Sequence, residues 1–129
     1  MTGGSMHDEH TRFDDKLFEL EGSLQSGDHE TARAQLAAFD VALSRYVRNE
    51  ERVVFPALER LVSTPFAPAI RMRLEHGSLR RLIAALRFAL DRSDRRRGLD
   101  ALGKLRSLLL LHVAKEEWIL YPLLARGAR

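Results

Sequence analysis

The chain has 129 residues, 45% hydrophobic and 30% charged, which sets one compact domain over residues 1–129, with residues 1–5 as a flexible start. It contains no cysteine, which excludes disulfide frameworks, thiolate zinc sites, iron–sulfur clusters and cysteine nucleophiles, and makes a reducing cytoplasm the expected setting. The net charge of +3 comes from an arginine excess, which bears on solubility rather than on fold.

Ser5, followed by Asp8 and Glu9, reads as a helix cap, and a first helical stripe follows through Phe13, Leu17, Leu20 and Leu24. Ser26-Gly27-Asp28 breaks it. A second stripe runs Leu36, Phe39, Leu43, then Val53 and Ala57, up to a second break over Ser63-Thr64-Pro65-Phe66-Ala67-Pro68. The third stripe is Met72, Leu79, Ile83, Leu86 and Leu90. A third break, from Ser93 to Gly98, holds Arg95, Arg96 and Arg97 beside Arg92. No aromatic residue interleaves with these arginines and no nucleic-acid-binding signature accompanies them, so they read as a solvated loop. The fourth stripe is Leu102, Leu105, Leu109, Ile119 and Leu123; the longest unbroken apolar run, Leu108 to Leu111, is far too short to span a membrane. Steps of three and four describe narrow seams, so the expected fold is all-α, an up-down-up-down four-helix bundle. Pro56 and Pro122 are expected to bend or end their helices.

The gaps in these stripes carry the chemistry. His10 lies one step upstream of Phe13. Tyr46 and Glu50 fall between Leu43 and Val53, His76 between Met72 and Leu79, and His112 and Glu116 between Leu109 and Ile119. Buried carboxylates and imidazoles need partners or a metal. A shift of 66 residues lays Glu9-His10 on Glu75-His76 and Tyr46-Val47-Arg48-Asn49-Glu50-Glu51 on His112-Val113-Ala114-Lys115-Glu116-Glu117. It also lays Phe55-Pro56 on Tyr121-Pro122. Each half is therefore a helical hairpin, and the bundle carries an internal two-fold repeat whose one sharp chemical break is Tyr46 opposite His112.

His10 stands 17 residues before Gly27 and Tyr46 stands 19 after it; His76 and His112 each stand 18 from Asp94. At about 1.5 Å of rise per residue, antiparallel packing levels each pair and lets all six groups converge. Histidine or tyrosine followed by glutamate four residues later shares one helix face. Two such helices, with a histidine from each of the others, frame a pocket for two metal ions, in a donor mix that suits iron or manganese. Glu50 and Glu116 lie on the seam; Glu51 and Glu117 are turned about 100° from it and read as flanking groups.

Glu9-His10, the Tyr46-to-Pro56 segment, Glu75-His76 and His112 to Pro122 resemble hemerythrin-like domains, also called HHE cation-binding domains, over nearly the whole chain. The resemblance implies a non-haem di-iron centre, with His10 and Tyr46 on one iron, His76 and His112 on the other, and Glu50 and Glu116 bridging. Oxygen-carrying hemerythrins use a further histidine on the third helix; one turn from His76 this chain has Met72 and Arg80. Tyr46 as phenolate would favour ferric iron and lower the reduction potential, which speaks against reversible oxygen carriage. As seam filler it would only hydrogen-bond Glu50 or water.

His7 reads as a solvated histidine in the first turn and His29 as a surface residue, whereas Phe18, Phe55, Trp118 and Tyr121 read as packing around the site. The leading expectation is a protein that reacts with or senses a small oxidant: dioxygen, peroxide or nitric oxide. An iron-responsive or iron-holding module without turnover is the second reading. A metal-free hydrogen-bonded seam is the third.

Overall fold

Two capped turns set the hairpins. In the computed structural model, which describes residues 3–62 and 67–127 and the side chains of 8–61 and 69–127, α1 (Gly3–Gln25) turns into α2 (His29–Asn49), and α4 (Ala67–Asp91) into α5 (Arg95–Lys115). The Asp28 carboxylate accepts from the Thr31 N–H at 3.1 Å, and Asp94, at the repeat-related position, accepts from the Arg97 N–H at 3.1 Å. Each cap satisfies a backbone donor that a helix start leaves unpaired. The chain reverses through a left-handed residue in both turns, Gly27 at φ 79° and Ser93 at φ 52°.

The second and fourth helices run on through one widened π-turn each. Glu50–Val54 leads from α2 into α3 (Phe55–Val62), and Glu116–Leu120 leads from α5 into α6 (Tyr121–Gly127). The Phe55 N–H donates to Glu50 O and the Tyr121 N–H to Glu116 O, five residues back. Pro56 and Pro122 follow directly. A proline ring clashes with the carbonyl four residues before it and offers no N–H, and one extra residue in the turn relieves both problems. The prolines therefore do not end these helices, which rules out one of the two effects expected of them.

The extra residue also shifts the apolar seam by one position. Val54 and Leu120 are buried, whereas the expected Val53 and Ile119 are exposed. Beyond the turns the expected Ala57 and Leu123 are only half-buried, whereas the stripe residues from Phe13 to Leu43 and from Met72 to Leu109 are buried as expected.

Around the bundle α1 neighbours α2, α2 neighbours α4, α4 neighbours α5, and α5 neighbours α1. This is the all-α four-helix bundle of two hairpins. One apolar cluster fills the end near the two turns, with Phe13, Leu20, Phe39, Leu86 and Leu102 at its heart. A smaller one, with Phe55, Leu58, Met72 and Leu120, closes the other end. A fully buried leucine or phenylalanine contributes about 1.5–3 kcal/mol, so the two clusters together fix the layer between them.

Several smaller expectations change. Helix α1 begins at Gly3, so Ser5 lies inside it rather than capping it. Of the second break, 63–66 lie outside the described residues, while Ala67 and Pro68 already belong to the first turn of α4, where proline needs no N–H. Arg95, Arg96 and Arg97 form the first turn of α5 rather than a loop, exposed on its outer side, and Gly98 is buried with its Cα side against Leu24. Among the described residues, no helix is long and apolar enough to cross a membrane.

Candidate metal centre

Between the two apolar clusters lies a polar layer made of the six residues read from the sequence. His10, Tyr46, Glu50, His76, His112 and Glu116 are all buried, His10 the least so at 7% exposure. Three elements meet at its tightest point. The Glu50 Oε1 atom lies 2.7 Å from His76 Nε2 and 3.0 Å from His112 Nε2, and the two ring nitrogens are 3.3 Å apart. These three residues form a buried group able to hold a metal ion. The other half of the layer pairs His10 Nε2 with Tyr46 Oη at 3.2 Å. Glu116 stands between the halves, its Oε1 3.7 Å from both His10 Nε2 and His112 Nε2.

The outward nitrogens decide the proton inventory. His76 Nδ1 lies 2.8 Å from Glu51, His112 Nδ1 2.9 Å from Glu75, and His10 Nδ1 3.0 Å from Glu117. A carboxylate there accepts, so each Nδ1 donates outward and each Nε2 faces the layer, as the nitrogen that a metal would take once any second proton has left. Glu51 and Glu117 thus orient the imidazoles, as their displacement from the seam suggested. Glu75 does the same for His112 and also pairs with Lys115; the sequence reading saw Glu75 only as part of a repeated pair. Its signal was its place one residue before His76, turned towards the neighbouring helix.

The layer is electrostatically incomplete by itself. Among the described residues, Glu50 Oε2 and Glu116 Oε1 are buried with no hydrogen-bond partner. Burial pushes the Glu116 carboxyl well above the ordinary carboxylate range, against a hydrogen bond from Tyr121 and with the charges of Glu9 and Glu117 adding to the rise. Burial would lower His76, but hydrogen bonds and charge from Glu50 and Glu51 outweigh it and raise its pKa. Burial would likewise raise Glu75, yet Lys115 and His112 hold it below its usual value. Two imidazole nitrogens on one carboxylate oxygen, with Glu50 Oε2 and Glu116 Oε1 unpartnered beside them, fit a cation, and nitrogen with hard oxygen donors suits iron or manganese.

A family model for the hemerythrin HHE cation binding domain matches residues 4–124. The chain belongs to that family. No curated protein and no solved structure matches it.

Within this HHE domain the aromatic surroundings are split. Phe55 is fully buried and stacks on His76 at 5.5 Å, and Tyr121 is half-buried, stacks on His10 at 6.4 Å and donates to Glu116 Oε2 at 2.7 Å. Trp118 and Phe18, expected as packing, are 81% and 65% exposed. Trp118 lies within the π-turn, whose extra residue rotates it outwards, and Phe18 lies one position off the seam residue Leu17. His29 is half-buried at the start of α2 with Nδ1 3.0 Å from Gly27 O, remote from the layer. The His7 side chain lies outside the described residues.

Proposed function

We propose that this chain is a non-haem di-iron protein that reacts with or senses a small oxidant such as dioxygen, peroxide or nitric oxide. In this reading His76 and His112 hold one iron, His10 and Tyr46 the other, and Glu50 and Glu116 bridge them; manganese would use the same donors. The convergence of two imidazole nitrogens on a buried carboxylate carries the reading, together with the family to which the chain belongs.

When bound, the metal pair would supply open coordination positions and one-electron redox chemistry. The chain's own residues do the rest. Glu51, Glu75 and Glu117 hold the Nδ1 protons and so keep Nε2 basic and aimed inwards. The Tyr121 hydroxyl donates to Glu116 Oε2, and its own pKa is raised by burial and by the neighbouring Glu116 charge, so it stays a phenol donor. The apolar clusters above and below keep bulk water from the layer. Tyr46 brings an oxygen donor where its repeat partner His112 brings nitrogen, which supports an unequal pair of metals and a ferric-leaning one beside His10.

The deciding experiment is metal content per chain with the visible spectrum of the purified protein. Two irons and a broad phenolate-to-iron band are expected. Failure to hold metal after anaerobic loading with ferrous iron would sink the reading. Peroxide consumption by the loaded protein, lost in His112→Ala, then separates turnover from mere iron holding.

A further inference from the structure

The internal repeat provides a control for a feature the metal centre does not use. Outside each half of the polar layer, a carboxylate reaches the surface between two neighbouring helices. Glu51 does so between α2 and α4, and Glu117 between α5 and α1, with side chains 33% and 34% exposed. The two grooves are related by the 66-residue shift, so whatever the scaffold requires should appear in both.

They are lined differently. The groove over Glu51 is a cavity of about 290 Å³ bounded by Ser44, Arg48, Glu51, Arg52 and Arg80. At the repeat-related positions the sister groove has Leu110, Ala114, Glu117, Trp118 and Asp14. The cleft on that side, of about 50 Å³, reaches His10 along Leu17, Leu109, Leu110 and Val113 and carries one arginine, Arg106, which is engaged by Asp14 at 3.4 Å and Glu21 at 3.9 Å. Arg48, Arg52 and Arg80 therefore have no guanidinium at their repeat-related positions, so packing of the bundle does not demand these three.

These arginines are also under-used. Arg80 reaches Glu51 Oε1 only at 3.8 Å, while Glu51 gives its closer bond, 2.8 Å, to His76. Among the described residues Arg48 and Arg52 have no ion-pair partner. They stand four residues apart, Arg48 in the last turn of α2 and Arg52 in the π-turn that continues it, and like charges that close along a helix repel. The nearby Asp40 is occupied by Arg87 at 2.8 Å. The groove thus holds three positive groups and one carboxylate, with a hydroxyl at its edge, and guanidinium donors of this kind suit bidentate recognition of a tetrahedral anion.

We propose that the Ser44–Arg48–Arg52–Arg80 groove binds a phosphate group, free or as the terminal group of a small phosphomonoester. The site is independent of the metal centre's chemistry, although an occupant that drew Arg80 from Glu51 would be felt at His76 through one hydrogen bond.

Equilibrium dialysis of the purified protein against radiolabelled inorganic phosphate, at ionic strength fixed with sodium chloride, tests this. One saturable site is expected. Its affinity should fall about tenfold or more in R48A and in R52A, as loss of a charge-assisted hydrogen bond implies, and stay at the parent level in the control R126A. R48A merely installs the residue the sister groove already has, so folding is not at issue. Competition by glycerol phosphate stronger than that by inorganic phosphate would identify the ester as the natural form, and weaker competition the free ion. Absence of saturable binding overturns the proposal. So does binding of parental strength in R48A/R52A, which would place the anion at the iron or elsewhere.

Discussion

At the scale of single residues, the asymmetry between the two halves of the layer rests on Tyr46. Its hydroxyl meets His10 Nε2 at 3.2 Å, and its ring packs edge-on to Phe13 at 5.3 Å between centroids. Tyr46→Phe keeps the ring and its burial while deleting the oxygen. The iron-loaded variant should lose the visible phenolate band yet retain the metal held by His76 and His112; an unchanged spectrum would show that the tyrosine is only seam filler. The carboxylates behind the imidazoles are open to the same kind of substitution. Glu75→Ala removes the acceptor of the His112 Nδ1 proton and the partner of Lys115. Metal affinity should fall about 10- to 100-fold, the usual consequence of losing the group that orients a ligating histidine. A competition titration with a chelator measures it, and equal affinities would mean that His112 is aligned by packing alone.

At the scale of elements, the turns and the π-turns explain both what could be read from the sequence and what could not. Alternating steps of three and four placed the seams of α1, α4 and most of α2 and α5, because a regular helix maps sequence spacing directly onto direction. The π-turns break that map. Nothing in hydropathy distinguishes Val53 from Val54 or Ile119 from Leu120, and only the proline two positions beyond the turn hints that a residue has been inserted. The site residues were legible because they precede or open these turns, whereas the aromatic assignments beyond them, such as Trp118, went astray. Glu75 was hidden for another reason: its partners come from a different helix, and one sequence does not reveal the rotation of neighbours. The two reversals carry a direct test. Ser93 sits at φ 52°, a conformation that favours glycine, and its repeat partner is Gly27 at φ 79°. Ser93→Gly should stabilise the protein by about 0.5–1 kcal/mol, the left-handed strain relieved less the added freedom of the unfolded chain. Gly27→Ala should destabilise it by about 1 kcal/mol through strain alone, since its added methyl would meet nothing within 4 Å. Chemical denaturation reads both, and a shared sign would refute the argument.

At the scale of the whole molecule, the polar layer opposes the stability of the bundle that encloses it, and the direction of that opposition depends on pH. Glu116 in the folded, metal-free chain titrates well above the 4.5 of an ordinary glutamate, and His76 above the 6.5 of an ordinary histidine. Both groups hold their protons more tightly folded than unfolded. For each, the stabilisation is fully present below the unfolded value and is lost as pH rises through the folded one. Glu75 has the opposite shift, but its stabilisation is lost only as pH falls below 4.5, so it does not offset the other two near neutrality. The chelator-treated protein should therefore melt at progressively lower temperature from about pH 5 to about pH 8. Metal binding displaces those same protons, so the gain in melting temperature on iron loading should grow over the same interval. Glu116→Gln removes one of the titrating groups. In the chelated protein it should flatten the slope and raise the melting temperature at about pH 8, while in the loaded protein it should weaken metal retention. A chelated protein that becomes more stable with rising pH would mean that the layer is satisfied without a cation, and the case for a metal centre would fall with it.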